Sequence, residues 1–213
     1  MVRIISIEGN IGSGKSTFLK TLKNYYRDNE LIRFCDEPVN EWLNIKDEYG
    51  KTILECFYEN QDKYSFHFQM VAYISRLNIL RNMLKNNVEI IFTERCVYTD
   101  INVFAQMLFD SGKMSNIEFT IYKKWFDEFL EEIPSIFYVY IDTTANTCFQ
   151  RIIERGRLGE SIPLEYLVKC KEYHDSWLFY NNQVLIFNGN VDKVHHKHWI
   201  EVMDGVINRL TKL

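Results

Sequence analysis

The run Gly9, Asn10, Ile11, Gly12, Ser13, Gly14, Lys15, Ser16 and Thr17 constrains this chain more than any other stretch. It spells G-x-x-x-x-G-K-S, and an apolar segment at residues 2–7 leads straight into it. A strand, a glycine-rich loop and a helix in that order make a cradle whose backbone N–H groups surround phosphate oxygens. Glycines bring the backbone close to the anion with no Cβ in the way. The helix that follows aims the positive end of its dipole at the same place. Lys15 is expected to reach the outer phosphates of a nucleoside triphosphate, and the Ser16 hydroxyl to ligate Mg²⁺.

Such a loop needs a parallel sheet around it. Five short runs rich in β-branched or aromatic residues read as buried strands: residues 2–7, 31–35, 88–93, 136–141 and 183–187. Helical stretches separate them at residues 15–29, 49–86, 100–110, 115–132, 145–155, 163–179 and 195–211. The stretch 49–86 divides into two or more helices, because Asn60, Gln61 and Asp62 interrupt it. The expected fold is α/β, a three-layer P-loop sandwich with a five-stranded parallel sheet and helices on both faces. No repeat or Pro/Gly-rich linker interrupts the chain, so a single domain over residues 1–213 is expected, with a lid at about 151–162.

Ligands of such sheets sit beyond the carboxyl ends of the strands. The second strand ends in Cys35, Asp36, Glu37 and Pro38, and the third in Thr93, Glu94, Arg95 and Cys96. Glu37, Glu94 and Arg95 are therefore expected to converge beside the phosphate cradle. One carboxylate can accept the proton of an attacking hydroxyl while the other holds the metal or its waters. A structural ion pair is the competing reading of Glu94 and Arg95. Arg151, Arg155 and Arg157 lie within seven residues. They suit a lid clamping donor phosphates, with Gly156 capping their helix; basic residues offsetting the helix dipole are the plainer alternative.

Other functions fit less well. A GTPase would carry N-K-x-D, which is absent, and a motor ATPase a hydrophobic strand ending in Asp-Glu, where the third strand here offers Glu94-Arg95 instead. The formal net charge of −4 does not suggest a nucleic-acid face. No segment approaches the roughly 20 apolar residues of a membrane span. The five cysteines include no C-x-x-C pair; free thiols in a reducing compartment, the cytoplasm, are expected. His195, His196 and His198 read as a solvated helix start rather than a metal site.

Six segments, in register, resemble the deoxynucleoside kinase family, which includes deoxycytidine, deoxyguanosine and mitochondrial-type thymidine kinases. They are GNIGSGKST, the EPV…W of residues 37–42, FYENQDKYSFHFQ at 57–69, ERCVYTD at 94–100, RIIERGR at 151–157 and IPLEYL at 162–167. The likeness implies ATP as donor, Mg²⁺, a deoxynucleoside acceptor and a homodimer formed through helices within 49–86 and 115–132. It also implies Glu37 as the base for the 5′-hydroxyl, Arg95 holding Glu37 and that hydroxyl, and Glu94 joining Ser16 around the metal, although either carboxylate can be argued as the base. Tyr58 and Glu160 would bind the sugar 3′-hydroxyl. Gln69 would pair with the base edge, and Trp42, Phe68 and Phe104 would form a slot around the base. Asp192 would lie beside the donor base. The family's base-reading positions fall on Ala72, Arg76 and Asp100. Asp100 accepts from an exocyclic amine but repels the O4 acceptor of thymine. Deoxycytidine, deoxyadenosine or deoxyguanosine is therefore expected over thymidine. A broad-specificity or thymidine-preferring deoxynucleoside kinase, a nucleoside monophosphate kinase and a non-catalytic nucleotide binder remain as alternatives.

Overall fold

The structure, a computed structural model, describes residues 2–129, 133–157, 160, 162–191 and 193–211. Five strands, β1 (Arg3–Glu8), β2 (Ile32–Cys35), β3 (Ile90–Glu94), β4 (Ile136–Asp142) and β5 (Val184–Asn188), form one parallel sheet in the order β2-β3-β1-β4-β5. Each begins and ends within two residues of its expected bounds. Successive side chains on β1 point to opposite faces. Ile5 and Ile7 pack with Phe18, Leu22, Trp199 and Met203, while Ile4 packs with Leu80, Tyr138 and Leu178. Helices α1 (Lys15–Tyr25) and α10 (His196–Leu210) therefore cover one face, and α4 (Gln61–Leu84) and α9 (Leu164–Leu178) the other. The sandwich anticipated from the strand–helix alternation is the fold found.

Local chemistry sets the helix ends. α3 (Ile53–Glu59) opens on a capping box in which the Thr52 hydroxyl accepts from the Glu55 N–H and the Glu55 carboxylate accepts from the Thr52 N–H. The Asn60 side chain caps α4 by accepting from the Lys63 N–H. The break expected at residues 60–62 is this cap. Gly156, at φ +57°, ends α8 (Ala145–Arg155) as a left-handed cap. Two features depart from the sequence reading. A short helix, α2 (Val39–Asn44), follows Pro38. The stretch 100–110 is broken into a π-helical turn at Asp100–Ala105 and a short α6 (Gln106–Asp110), preceded by α5 (Val97–Thr99). α7 (Asn116–Glu128) completes the set. Among the described residues no helix is long and apolar enough to cross a membrane.

The chain crosses from β1 by α1 to the outer strand β2, then returns to β3 between them. From β3 it passes to β4 on the other side of β1. Connections thus diverge around β1 and β3, and a crevice opens at their carboxyl ends.

Candidate active site

A cavity of about 600 Å³ occupies that crevice. Residues 11–17 line it, whereas Gly9 and Asn10, expected with them, are not among the lining residues. Gly12 has φ +81°, and a Cβ there would sit 2.6 Å from the Cys148 carbonyl oxygen, so only glycine lets the loop lie against α8. The Asn10 side-chain amide donates to the Leu167 carbonyl at 2.8 Å, tying the loop to α9. Lys15 donates from Nζ to the Asn10 carbonyl at 2.7 Å. Burial, reinforced by the Arg95 guanidinium, lowers the Lys15 ammonium to about 8. A phosphate anion arriving there reverses that balance.

The strand ends bring their charges to the same rim. Arg95 donates from Nη1 to Glu37 Oε1 at 2.6 Å, and the Ser16 hydroxyl donates to Glu94 Oε1 at 2.7 Å. The expected convergence of cradle, Glu37, Glu94 and Arg95 is thus present. Burial opposes the Glu37 anion, yet Arg95, Arg76 and Lys15 overcome it and hold the carboxyl down at about 2. Glu37 is ionised at neutral pH. Arg95 is the one non-glycine residue with positive φ among the described residues, at +61°. That conformation costs on the order of 1–3 kcal/mol and persists only where its surroundings fix it.

Arg76 takes part in both halves of the site. Its Nε donates to Asp100 Oδ2 at 3.1 Å, Nη1 to the Glu94 carbonyl at 2.7 Å, and Nη2 approaches Glu37 Oε1 at 3.4 Å. Arg76 and Asp100 thus form a buried ion pair, and both side chains also line the cavity. Burial pushes the Asp100 carboxyl up to about 6 against the pull of Arg76.

Aromatic residues line another part of the cavity. Trp42, the buried residue of α2, meets Phe68 edge-on at 5.3 Å, and its indole N–H donates to Ser75 Oγ at 2.9 Å. The Arg95 guanidinium lies 5.1 Å from the Phe104 ring centroid. Gln69 is buried, and its Oε1 has no hydrogen-bond partner among the described residues. Such an atom calls for a donor. Ala72 leaves room beside it. Every acceptor-side residue expected from the sequence lines this cavity. Leu54, Phe57 and Tyr166 line it too; Phe57 and Tyr166 fall within the segments 57–69 and 162–167 but were given no role, and Leu54 lies in none of the six segments.

Near the end of α8, Arg151 donates to the Ser13 carbonyl at 3.2 Å. Arg155 donates to Glu160 Oε2 at 2.6 Å, and Arg157 lies 3.8 Å from Glu160 Oε1. Tyr58 and Glu160 both line the cavity, and burial and then the Glu160 carboxylate push the Tyr58 hydroxyl upward. Asp192 lies outside the described residues. The sequence reading of His196 needs correction. It is buried rather than solvated, accepts or donates at 3.2 Å to Thr21 Oγ1, and lines the cavity with Lys193 and Trp199. The signal was available: residues 196, 199, 200, 203 and 206 form one buried stripe at helical spacing.

A P-loop and a buried carboxylate–arginine couple opening into one cavity define a P-loop phosphotransferase. More narrowly, the chain belongs to the deoxynucleoside kinase family, whose pattern matches residues 5–212. Among curated relatives it is 38% identical to deoxycytidine kinase from Homo sapiens, with 84% of this chain and 76% of that protein covered. It is 35% identical to deoxycytidine kinase 1 from Xenopus laevis, covering 83% and 74%. To the mitochondrial deoxyguanosine kinase of Xenopus laevis it is 31% identical, covering 83% and 73%. The chain is an enzyme with kinase activity on a deoxynucleoside.

Proposed function

We propose that this kinase transfers the terminal phosphate of ATP, with Mg²⁺, to the 5′-hydroxyl of deoxycytidine, deoxyadenosine or deoxyguanosine in preference to thymidine. The observation that carries the reading is the 2.6 Å couple between Arg95 and Glu37 at the rim of the P-loop cavity. It supplies an ionised carboxylate where an acceptor hydroxyl must lie, with a guanidinium beside it to orient both. Glu37 takes the hydroxyl proton as the oxygen attacks. Its carboxyl is held low by Arg95, Arg76 and Lys15. A triphosphate bound against Lys15 and Arg95 offsets those cations and raises the basicity of Glu37 at the moment it is needed.

The donor set of Ser16 Oγ and Glu94 Oε1, 2.7 Å apart, consists of hard oxygens and fits Mg²⁺, which takes few protein ligands and keeps its waters. The ion would neutralise charge on the transferring phosphate. Lys15 and the loop amides hold the donor phosphates, joined by Arg151, Arg155 and Arg157 from the lid side; Asp192 remains a proposed neighbour of the donor base. Tyr58 and Glu160 take the sugar 3′-hydroxyl. Trp42, Phe68 and Phe104 flank the base, whose edge meets Gln69. Next to Ala72, the Asp100 carboxylate and Arg76 guanidinium favour an amine-bearing base over thymine, whose O4 would face a carboxylate.

A nucleoside monophosphate kinase would need cations where Glu37 stands, so a 5′-phosphate is the poorer acceptor. The test is ADP release with Mg-ATP and either deoxycytidine or dCMP. The account requires turnover with deoxycytidine or, run in the same way, with deoxyadenosine or deoxyguanosine; turnover with the monophosphates alone would overturn it. A homodimer through α4 and α7 is supported by Ile74, Ile117, Ile121 and Trp125, all exposed on those helices. Unpaired buried cysteines suit a reducing compartment such as the cytoplasm.

A further inference from the structure

Glu8 is fully buried at the end of β1, and no part of the mechanism above uses it. Among the described residues no lysine, arginine or histidine pairs with it. Its oxygens are taken by two hydroxyls: Ser6 Oγ donates to Oε1 at 2.5 Å, and Thr99 Oγ1 donates to Oε2 at 2.7 Å. A threonine hydroxyl has one proton. Given to Glu8, that proton leaves the Thr99 lone pairs free to accept, and the Cys96 N–H donates to them at 3.2 Å. Cys96 is the residue after Arg95, the residue in left-handed conformation. The chain on either side of Glu8 holds Arg95 as well. The Arg95 N–H donates to the Ile7 carbonyl at 3.0 Å, and Arg95 Nη2 to the Gly9 carbonyl at 3.3 Å.

We propose that Glu8 is a positioning residue for phosphoryl transfer: through Thr99 it locks the turn that presents Arg95 to Glu37. The carboxylate fixes the direction of the Thr99 hydroxyl, the hydroxyl anchors the amide after Arg95, and the turn cannot relax toward ordinary backbone. This rests on the proposed roles of Arg95 and Glu37. It assigns a function to a residue that touches neither substrate.

The test is a double-mutant cycle. Thr99→Val removes the hydroxyl at nearly constant volume and carries the test even if Glu8→Leu fails to fold. Thr99→Val is expected to lower kcat about tenfold while the KM for ATP and for deoxynucleoside each stay within about threefold, whereas Thr99→Ser restores the rate. Glu8→Gln, which keeps an acceptor oxygen, stays closer to wild type than Glu8→Leu. In an Arg95→Lys background, Thr99→Val costs less than about threefold, because the guanidinium it positions is gone. A wild-type rate for Thr99→Val, or an equal loss in both backgrounds, overturns the positioning role. A wild-type rate for Arg95→Lys alone overturns the catalytic reading beneath it.

Discussion

Glu37→Gln changes little in shape and much in chemistry. The amide keeps an oxygen toward Arg95 but can no longer take a proton from a hydroxyl. Loss of general-base catalysis costs about 10²–10⁴ in kcat, or roughly 3–5 kcal/mol of barrier. The fold should survive. Arg95 keeps its bond to the Gly9 carbonyl, and Arg76 keeps Asp100 and the Glu94 carbonyl. What is lost is one anion between two buried guanidinia, worth about 1–3 kcal/mol with the neutral amide in place. For a chain of this size that corresponds to a melting shift of roughly 2–12 °C. The assay is kcat at saturating Mg-ATP and deoxynucleoside, with a thermal melt of the same preparation. A folded variant turning over within threefold of wild type would refute the assignment of Glu37 as base and pass that role to Glu94.

Further outcomes follow from the same geometry. Glu94→Gln should raise the Mg²⁺ concentration for half-maximal rate about tenfold or more, because half of the oxygen pair with Ser16 loses its charge; an unchanged metal titration counts against that site. Arg76→Met combined with Asp100→Ala should raise the rate with thymidine relative to deoxycytidine at least tenfold, and no relative gain contradicts the reading of the base pocket. Burial and then Arg95 hold His174 down at about 3, so the folded state binds fewer protons there than the unfolded chain once pH drops below 6.5. Its stabilising contribution is complete above pH 6.5 and declines as pH falls toward 3. Between pH 6.5 and 5, His174→Phe should therefore lose ~2 kcal/mol less stability than wild type in denaturant titrations, and parallel slopes would contradict the burial argument. Ile121→Lys on α7 should shift the species seen by sedimentation from dimer to monomer.

Much of the fold was legible because its chemistry leaves few options. Buried parallel strands must be continuous apolar runs, and residues 88–93 and 136–141 could be little else. The P-loop needs its glycines and lysine at fixed spacing, and topology then dictates where Glu37 and Arg95 go. Other parts were hidden for equally physical reasons. α2 is a six-residue helix after a proline that buries only Trp42, too short to show a period. The π-helical turn at Asp100–Ala105 is set by tertiary packing around the site, which local propensity does not encode. His196 was masked by His195, Lys197 and His198 beside it, though its spacing from Trp199 and Met203 marks the inner face. The reach of Arg76 to Glu37 and the clamp of Glu8 on Thr99 join residues 39 and 91 positions apart, and no motif records them.

The most direct measurement is a rate panel with Mg-ATP and each of the four natural deoxynucleosides, following formation of the 5′-monophosphate. The account predicts efficient turnover of at least one of deoxycytidine, deoxyadenosine and deoxyguanosine, with thymidine slower by tenfold or more. Thymidine as the preferred acceptor would contradict the roles given to Arg76 and Asp100, and ATP binding with no turnover of any nucleoside would contradict the transfer itself.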